Sequence, residues 1–384
     1  MARGRLYRPD SKRMVMRSTH SGRLERWLGP EKIAHLSAAM RGWHGPPIHL
    51  LDLPGSVRVC GDGDFVGPFE HGYAVSALEL LWDRYKRAAR VNPNVLYAGF
   101  ANVGDALSRA SQGFQQNLNG GQISKTGPTG IAGVTSSIWG LGAQPPAGAN
   151  ASAAPGGDAP TNATTGAMAY TNPATGTLHL VGADMSASII NMCLLVYDRL
   201  FHVDKLINST ATEAVTGVPT RYQSQTASDA DYIGGNFLFV EVGGTALAAV
   251  AHNWTVCLYS DQAGASSTLP SLAGVSGAIV RRLDHPANQF FAPLESGDAG
   301  VKALTQMQCS ALVTTGVINF VIGHAIGFMS FPIANVTFPF NWLTNRNQAP
   351  RIFNNAALAL LEVVKPATTP TTYTGSIYAT GAAA

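Results

Sequence analysis

Charge is what this sequence has least of. Only 13% of its 384 residues are Asp, Glu, Lys or Arg, about half the share of an ordinary soluble domain. A solitary chain of this size needs charged surface to stay dispersed. The shortage therefore implies that much of the surface is covered by other protein, with a Ser/Thr/Asn-surfaced extracellular β-protein as the alternative. Cysteine is scarce as well. Cys60, Cys193, Cys257 and Cys309 stand far apart with no CxxC pair, which argues against zinc ligation and against a redox dithiol. Cys257 and Cys309 fall inside strand-like runs, where reduced, buried thiols are expected, and a reducing cytosol is the folding compartment that fits. No uninterrupted apolar run approaches the roughly 20 residues of a membrane helix, so no membrane partner is expected. The N-terminal stretch holds too many acids and too short an apolar run for a signal peptide. No internal repeat is evident, which argues against a solenoid or propeller.

Catalytic signatures are missing too. There is no G-x-S-x-G elbow, H-E-x-x-H helix or phosphate-cradling glycine loop. In "CGDGDF", Asp62 and Asp64 stand two apart on a glycine-rich turn, but the full calcium-loop spacing is absent and an Asx-type turn explains the pair. His285 follows Asp284 and could act as a base oriented by a carboxylate; a hydrogen bond within the loop ahead of Pro286 is the preferred reading. The N-x-S/T triplets at Asn150, Asn162, Asn208, Asn253 and Asn335 are what a chain rich in Asn, Ser and Thr supplies by chance. No catalytic residue, metal or cofactor is expected, and an unrecognised hydrolase stays only as a remote alternative.

What is present is a gradient. Residues 1–50 carry ten Lys/Arg against three Asp/Glu, whereas residues 101–384 carry eleven against fourteen. The basic arm, residues 1–27, spaces Arg3, Arg5, Arg8, Lys12, Arg13 and Arg17 along a segment with little other pattern. Such an arm can neutralise phosphates without reading sequence, and docking on an acidic surface of a sister subunit explains it equally well. The aromatic interleaving expected of a single-strand binder is missing from it. Residues 28–110 form a helical and Gly/Pro-rich region. "GPEKIAHLSAAMRG" places Pro30, Glu31, Arg41 and Gly42 at the helix ends that favour them. "SALELLWDRYKRAAR" opens with Ser76 and Glu79 at capping-box spacing and puts Leu78, Leu81, Trp82, Tyr85 and Ala89 on one face. A third short helix is expected around residues 102–109.

Beyond residue 182 the pattern changes to strands. "SIINMCLLVYDRLFHVDKL", "NFLFVEV", "NWTVCLYSD", "VKALTQMQCSALV", "GVINFVIGHAIGFMSFPI" and "ALALLEVVK" are separated by Gly/Ser/Asp/Pro loops with no helical period between them. The spacing predicts a mainly β fold, with an antiparallel, jelly-roll-like β-sandwich over residues 184–366 and a tail over 367–384. Within it, Trp254, Val256 and Leu258 are expected on one buried face. Residues 111–183 form a nearly uncharged segment: between Ala110 and Ala183 only Lys125 and Asp158 are charged. With no hydrophobic period it offers little local structure against a backbone entropy of about 1–2 kcal/mol per residue. Residues 115–180 are accordingly expected to lie extended, poorly packed on their own chain and covered by other subunits, with Trp139 as the one anchor.

The stretches "TNATTGAMAYTNP", "TATEAVTGVPTRYQS", "LTQMQCSALVTTGVINFVIGHAIGF" and "VVKPATTPTTYTGSIYATG" give residues 110–384 a texture that resembles virion structural proteins of tailed bacteriophages, either capsid-shell or capsid-decorating subunits. The resemblance implies a non-enzymatic subunit that self-assembles into, or stabilises, a capsid in the virion after assembly in the host cytoplasm. Its implied partners are identical subunits and other virion proteins, with non-specific contact to packaged DNA open to the basic arm. It also brings the α+β tailed-phage shell fold as an alternative, for whose long spine helix only residues 76–90 are a candidate. A phage tail or fibre protein that binds a host glycan is the alternative function, and it would need Trp254 or Trp342 exposed at loop tips; core placement of both is the preferred reading.

Overall fold

The computed structural model describes five short strands near the N terminus and, beyond them, residues 103–129, 133–223, 235–287, 289–342, 349–363 and 369–382. The chain divides into two compact units, Met1–Pro93 and Asn94–Ala384. In the first, β1 (Leu6–Tyr7) pairs antiparallel with β2 (Val15–Met16), while β3 (Ile48–His49), β4 (Arg58–Val59) and β5 (Phe65–Val66) form a second small antiparallel sheet. The helices expected over residues 29–42 and 76–90 lie outside the described residues, as do all six basic arm positions, Asp62 and Asp64.

In the second unit every described pairing between strands is antiparallel. The unit opens on a short helix, α1 (Val103–Arg109), where the third helix was expected; Asp105 in its first turn and Arg109 in its last suit the helix dipole and pair at 3.4 Å. Three short strands follow, β6 (Gln115–Asn117), β7 (Ile123–Thr126) and β8 (Ser136–Ser137), and then the long β9 (Thr177–Ala187) and β10 (Met192–Asp204). Next come β11 (Glu213–Ala214), β12 (Asn236–Val242), β13 (Asn253–Asp261), β14 (Ser266–Thr268), β15 (Leu272–Ala273), β16 (Val301–Cys309) and β17 (Ile318–Phe331). The chain ends with β18 (Phe338–Asn341), β19 (Arg351–Ile352), β20 (Leu358–Val363) and β21 (Thr372–Ala382). All six apolar runs read from the sequence are strands, and no helix interrupts residues 236–287 or 289–320.

Three sheets result. The central one has the order β12-β17-β10-β20-β8, a second runs β11-β16-β13-β14 with β15 beside β13, and a third runs β18-β9-β21-β6 with β19 and β7 attached. At about 3.3 Å per residue, the 13-residue β10 is roughly 40 Å long, and it serves two cores. Toward its C-terminal end Leu200 and Val203 pack with Trp254, Cys257, Tyr259, Leu304 and Met307 of the second sheet. Toward its N-terminal end Met192, Leu194 and Val196 pack with Leu178, Met185 and Ile377 of the third. The opposite face of the central sheet carries Leu195, Tyr197, Phe239 and Val321, covered by Trp139, Ala167 and Leu283 from loops. Because both its faces are covered, the first half of β10, residues 192–197, reads as a continuous apolar run rather than an alternation.

Three expectations are corrected. Trp254 is buried, but Val256 and Leu258 are only half-buried; Cys257 and Tyr259 take the core face instead. The register against β16 shifts between Trp254 and Val256, and a β-bulge of this kind moves the following side chains to the other face. Residues 369–382 are no tail, since β21 lies between β9 and β6 and buries Tyr373, Ile377 and Ala379. Gly375 makes this pairing possible: at φ +146° its Cα sits so close to the Asp184 carbonyl that a Cβ would collide with it. Finally, residues 115–180 are not poorly packed. Leu118, Ile123, Val134, Ile138, Trp139, Ala167 and Met168 are buried against the unit's own sheets, and β6, β7 and β8 join them. The chain's own side chains hold this segment.

Candidate functional site: charges inside, apolar side chains outside

Close to half of the charged residues described between Val103 and Ala382 are buried, among them Lys125, Asp198, Arg199, Arg221, Glu241 and Asp284. They form a layer on and around the central sheet. Arg199 of β10 is fully enclosed. Its Nη2 donates to Glu241 Oε1 at 2.5 Å and its Nη1 to Glu241 Oε2 at 3.3 Å, while Asn319 Nδ2 of β17 donates to Glu241 Oε1 at 3.1 Å. Burial by itself disfavours both charges, but the pairing outweighs it: Arg199 is held above, and Glu241 below, the usual range of its kind. Arg199 Nε and Nη2 also point at His202 Nδ1, at 3.1 and 2.9 Å. Burial first, and the Arg199 charge second, depress the His202 imidazole to about 2.

A loop lies over this pair. The Trp139 ring faces the Arg199 guanidinium, 4.9 Å from it, and meets the His202 ring edge-on at 6.2 Å. Its indole donates to Ala149 O at 3.0 Å, and a Cβ on Gly148 would overlap its ring, so the chain can turn here only with glycine. From there residues 150–160 run across the sheet as a strap. Ala151 N donates to Asn319 Oδ1 at 3.0 Å, Gly244 N to Asn150 Oδ1 at 3.0 Å, and Asp158 N to His202 O at 2.8 Å. At the far end Arg221, bidentate on Asp198 at 2.8 and 2.7 Å, donates to Pro160 O at 3.0 Å. Lys125 ties the preceding turn through the Leu141 carbonyl at 2.5 Å, and burial followed by the Arg281 charge lowers its ammonium to about 8.

The dyad suspected from sequence is rearranged. Asp284 is paired with His252, not His285: Asp284 Oδ2 takes His252 Nε2 at 2.9 Å and Trp254 Nε1 at 2.8 Å, and its Oδ1 takes Val275 N at 2.7 Å. Burial opposes a charge on His252, but the bond to Asp284 and its charge raise the imidazole above its ordinary value. His285 instead accepts Val240 N of β12 at 2.9 Å, so its bond leaves the loop in which it was expected, and burial lowers it to about 4. The His252 and Asp284 side chains are both wholly enclosed, so this pair fastens loops to strands β12 and β13. Adjacent sequence was the misleading signal, because residues next to each other in an extended segment point to opposite sides. Trp254 and Trp342 are core residues, 1% and 4% exposed, which removes both aromatics that a glycan site would have used. Cys257 and Cys309 are buried free thiols. Among the described residues no cluster of His, Cys, Asp and Glu has a metal-binding arrangement.

The outer surface shows the converse. Ile190, Leu206, Val218, Leu312 and Ile333 are each more than half exposed. Ile190 lies in the β9–β10 turn and Ile333 in the β17–β18 loop, and Asn335 N joins the two segments through Ala187 O at 2.8 Å. Leu206 and Leu312 flank the other end of β10, where Val313 N donates to Ile207 O at 3.0 Å. Apolar side chains thus stand exposed at both ends of the longest strand pair.

No protein-family model matches the chain, and no curated protein or solved structure is similar to it.

Proposed function

We propose that this chain is a structural subunit of a bacteriophage virion, one that self-assembles into a capsid shell or stabilises it. The observation that carries the reading is the inversion just described. Charges are spent on buried pairs, while large aliphatic side chains stand in solvent at two separated ends of the molecule. Scattered exposed apolar residues are ordinary; their coincidence with a charge-poor surface is not what a solitary soluble protein needs. Patches at opposite ends of one strand pair suit repeated contacts between identical subunits, where symmetry multiplies small interfaces into a closed container. The phage-like texture of residues 110–384 points the same way. In this reading the partners are identical subunits and other virion proteins, the site of action is the virion, and the basic arm contacts packaged DNA or a sister subunit.

Negative-stain microscopy of the purified chain is the test. Shells, tubes or discrete rings of subunits are expected, and Ile333→Asp combined with Leu312→Asp should abolish them while leaving a folded subunit. Deleting residues 1–20 should lower particle yield without affecting solubility. A monodisperse monomer at concentrations where assembly proteins polymerise would sink the reading.

A further inference from the structure

We infer that residues 150–160 form an acid-released strap over the Arg199–Glu241 pair, and that His202 is the group whose protonation releases it. This inference is independent of any assembly role.

The argument begins with donors. A guanidinium can only donate, so His202 Nδ1, which faces Arg199 Nε and Nη2 at 3.1 and 2.9 Å, must be a lone-pair acceptor. The ring proton then sits on Nε2, which faces Asp158 Oδ2 at 3.6 Å. A second proton has only Nδ1 to land on, directly against a guanidinium that Glu241 holds in place through two bonds. Closed strap and imidazolium are therefore incompatible, and the ring must leave. Of what surrounds it, the strap is the part that can move. Its sequence, "NASAAPGGDAP", has no apolar side chain larger than proline, so little hydrophobic area of its own opposes lifting, and the apolar cost is confined to Phe201 and Val203 beneath Gly157. It is held by polar bonds that water can replace at a net loss of only about 1 kcal/mol each. Two of these, Asp158 N to His202 O and His202 N to Asp158 O, are made to His202 itself.

The other charged groups around the ring set the size of the effect. On β10, Tyr197 stays neutral, its hydroxyl pushed up to about 12 by burial. Glu241 on β12 stays ionised beside Arg199, and Arg281 acts on that pair. The Asp158 carboxylate of the strap faces the nitrogen that already carries a proton. Asp204, whose backbone bonds Ser152 O and Ala154 N of the strap, works in the opposite sense. Burial raises its carboxyl to about 6, so between pH 6 and 4 it takes up a proton in the closed form and partly offsets the His202 release.

Amide hydrogen exchange on the full chain between pH 7 and 4, with each amide divided by its intrinsic rate, reads the opening directly. Uptake of one proton changes an opening equilibrium at most tenfold per pH unit. With Asp204 opposing, the Ala151, Ala154 and Asp158 amides are expected to open roughly tenfold more at pH 4 than at pH 6.5, through a local opening that leaves them less protected than the β17 amides at every pH. In His202→Gln, whose Oε1 can accept the Arg199 bonds but cannot titrate, the strap should show no such rise. In Asp158→Asn the rise should persist. The inference is overturned if H202Q retains the acid response of the strap, if D158N abolishes it, or if strap and β17 amides show the same protection at every pH.

Discussion

The strand pair β10–β17 and the irregular segment 138–176 share one charged layer but are ordered by different physics. Strands β10 and β17 are joined along almost their whole length by ladder bonds, with bulges at Val196/Tyr197 and Arg199/Phe201, and both cores close on them. The segment 138–176 contains no strand, yet Trp139, Pro160, Ala167 and Met168 within it are buried. Its order comes from single polar bonds to residues far away in sequence: Asn150 to Gly244, Ala151 to Asn319, Pro160 to Arg221. Periodic order is cooperative along the chain, whereas stapled order is only as strong as each staple. A chain can therefore be well packed without regularity, provided that its partners are supplied by a rigid sheet.

The comparison breaks most completely at the element both regions use. Arg199→Leu leaves Glu241 enclosed without its counter-charge and removes the cation from Trp139, so a loss of about 3–5 kcal/mol is expected from urea denaturation. Strap and sheet should fail in one transition; a loss below about 1 kcal/mol would show that the layer does not join them.

Acid separates the two regions by the strength of their response. His285 belongs to the sheet side, since it accepts the Val240 amide of β12 and is neutral when folded, with its value lowered by burial to about 4. The folded state therefore binds fewer protons than the unfolded one. The contribution of His285 is fully present above the unfolded value near 6.5 and is lost as pH falls toward 4. The expected decline is about 3 kcal/mol over that window, and His285→Gln, which can still accept the Val240 bond, should remove this part of the slope. An unchanged slope in that variant would assign the acid sensitivity elsewhere.

Gly148→Ala sharpens the contrast. The added Cβ meets the Trp139 ring, and overpacking of this kind costs about 1–3 kcal/mol. Exchange protection should vanish over the strap while the amides of β17 keep theirs. Asn150→Ala removes one staple, the bond to Gly244 N, and should cost about 0.5–1.5 kcal/mol. That variant should raise protease sensitivity within residues 140–160 and leave the denaturation midpoint of the sheets nearly unmoved; an equal loss of protection in β12 would show that the staple also supports the sheet.

How far the fold can be read in the chain follows the same division. The six apolar runs announce their strands because a β-branched or aromatic residue buried on a pleated surface leaves a mark at its own position. The helix at Val103–Arg109 is announced by its end charges. Strand β21 is hidden: "TYTGSIYATGA" reads as a polar tail, and only the pairing of Tyr373 with Ala187 and of Ile377 with Ala183 gives it a core face. The face taken by Val256 and Leu258 is equally hidden, since a bulge depends on the register with β16 and not on β13 alone. Of the candidate chemistry, His285 and Asp284 stand out as a dipeptide, but their true partners, Val240 and His252, lie 45 and 32 residues away.

The sequence by itself determined the mainly β class, the positions of the long strands, the burial of the free thiols Cys257 and Cys309, and the poverty of surface charge. Each of these depends on composition or on a period of two along the chain. Only the tertiary structure decided that the uncharged segment is held by its own molecule, that the last residues form an inner strand, and that Arg199 meets Glu241 beside Trp139. Those outcomes depend on which distant groups a rigid sheet brings within about 3 Å of one another, and a hydrogen bond between remote residues leaves no pattern in the sequence around either of them.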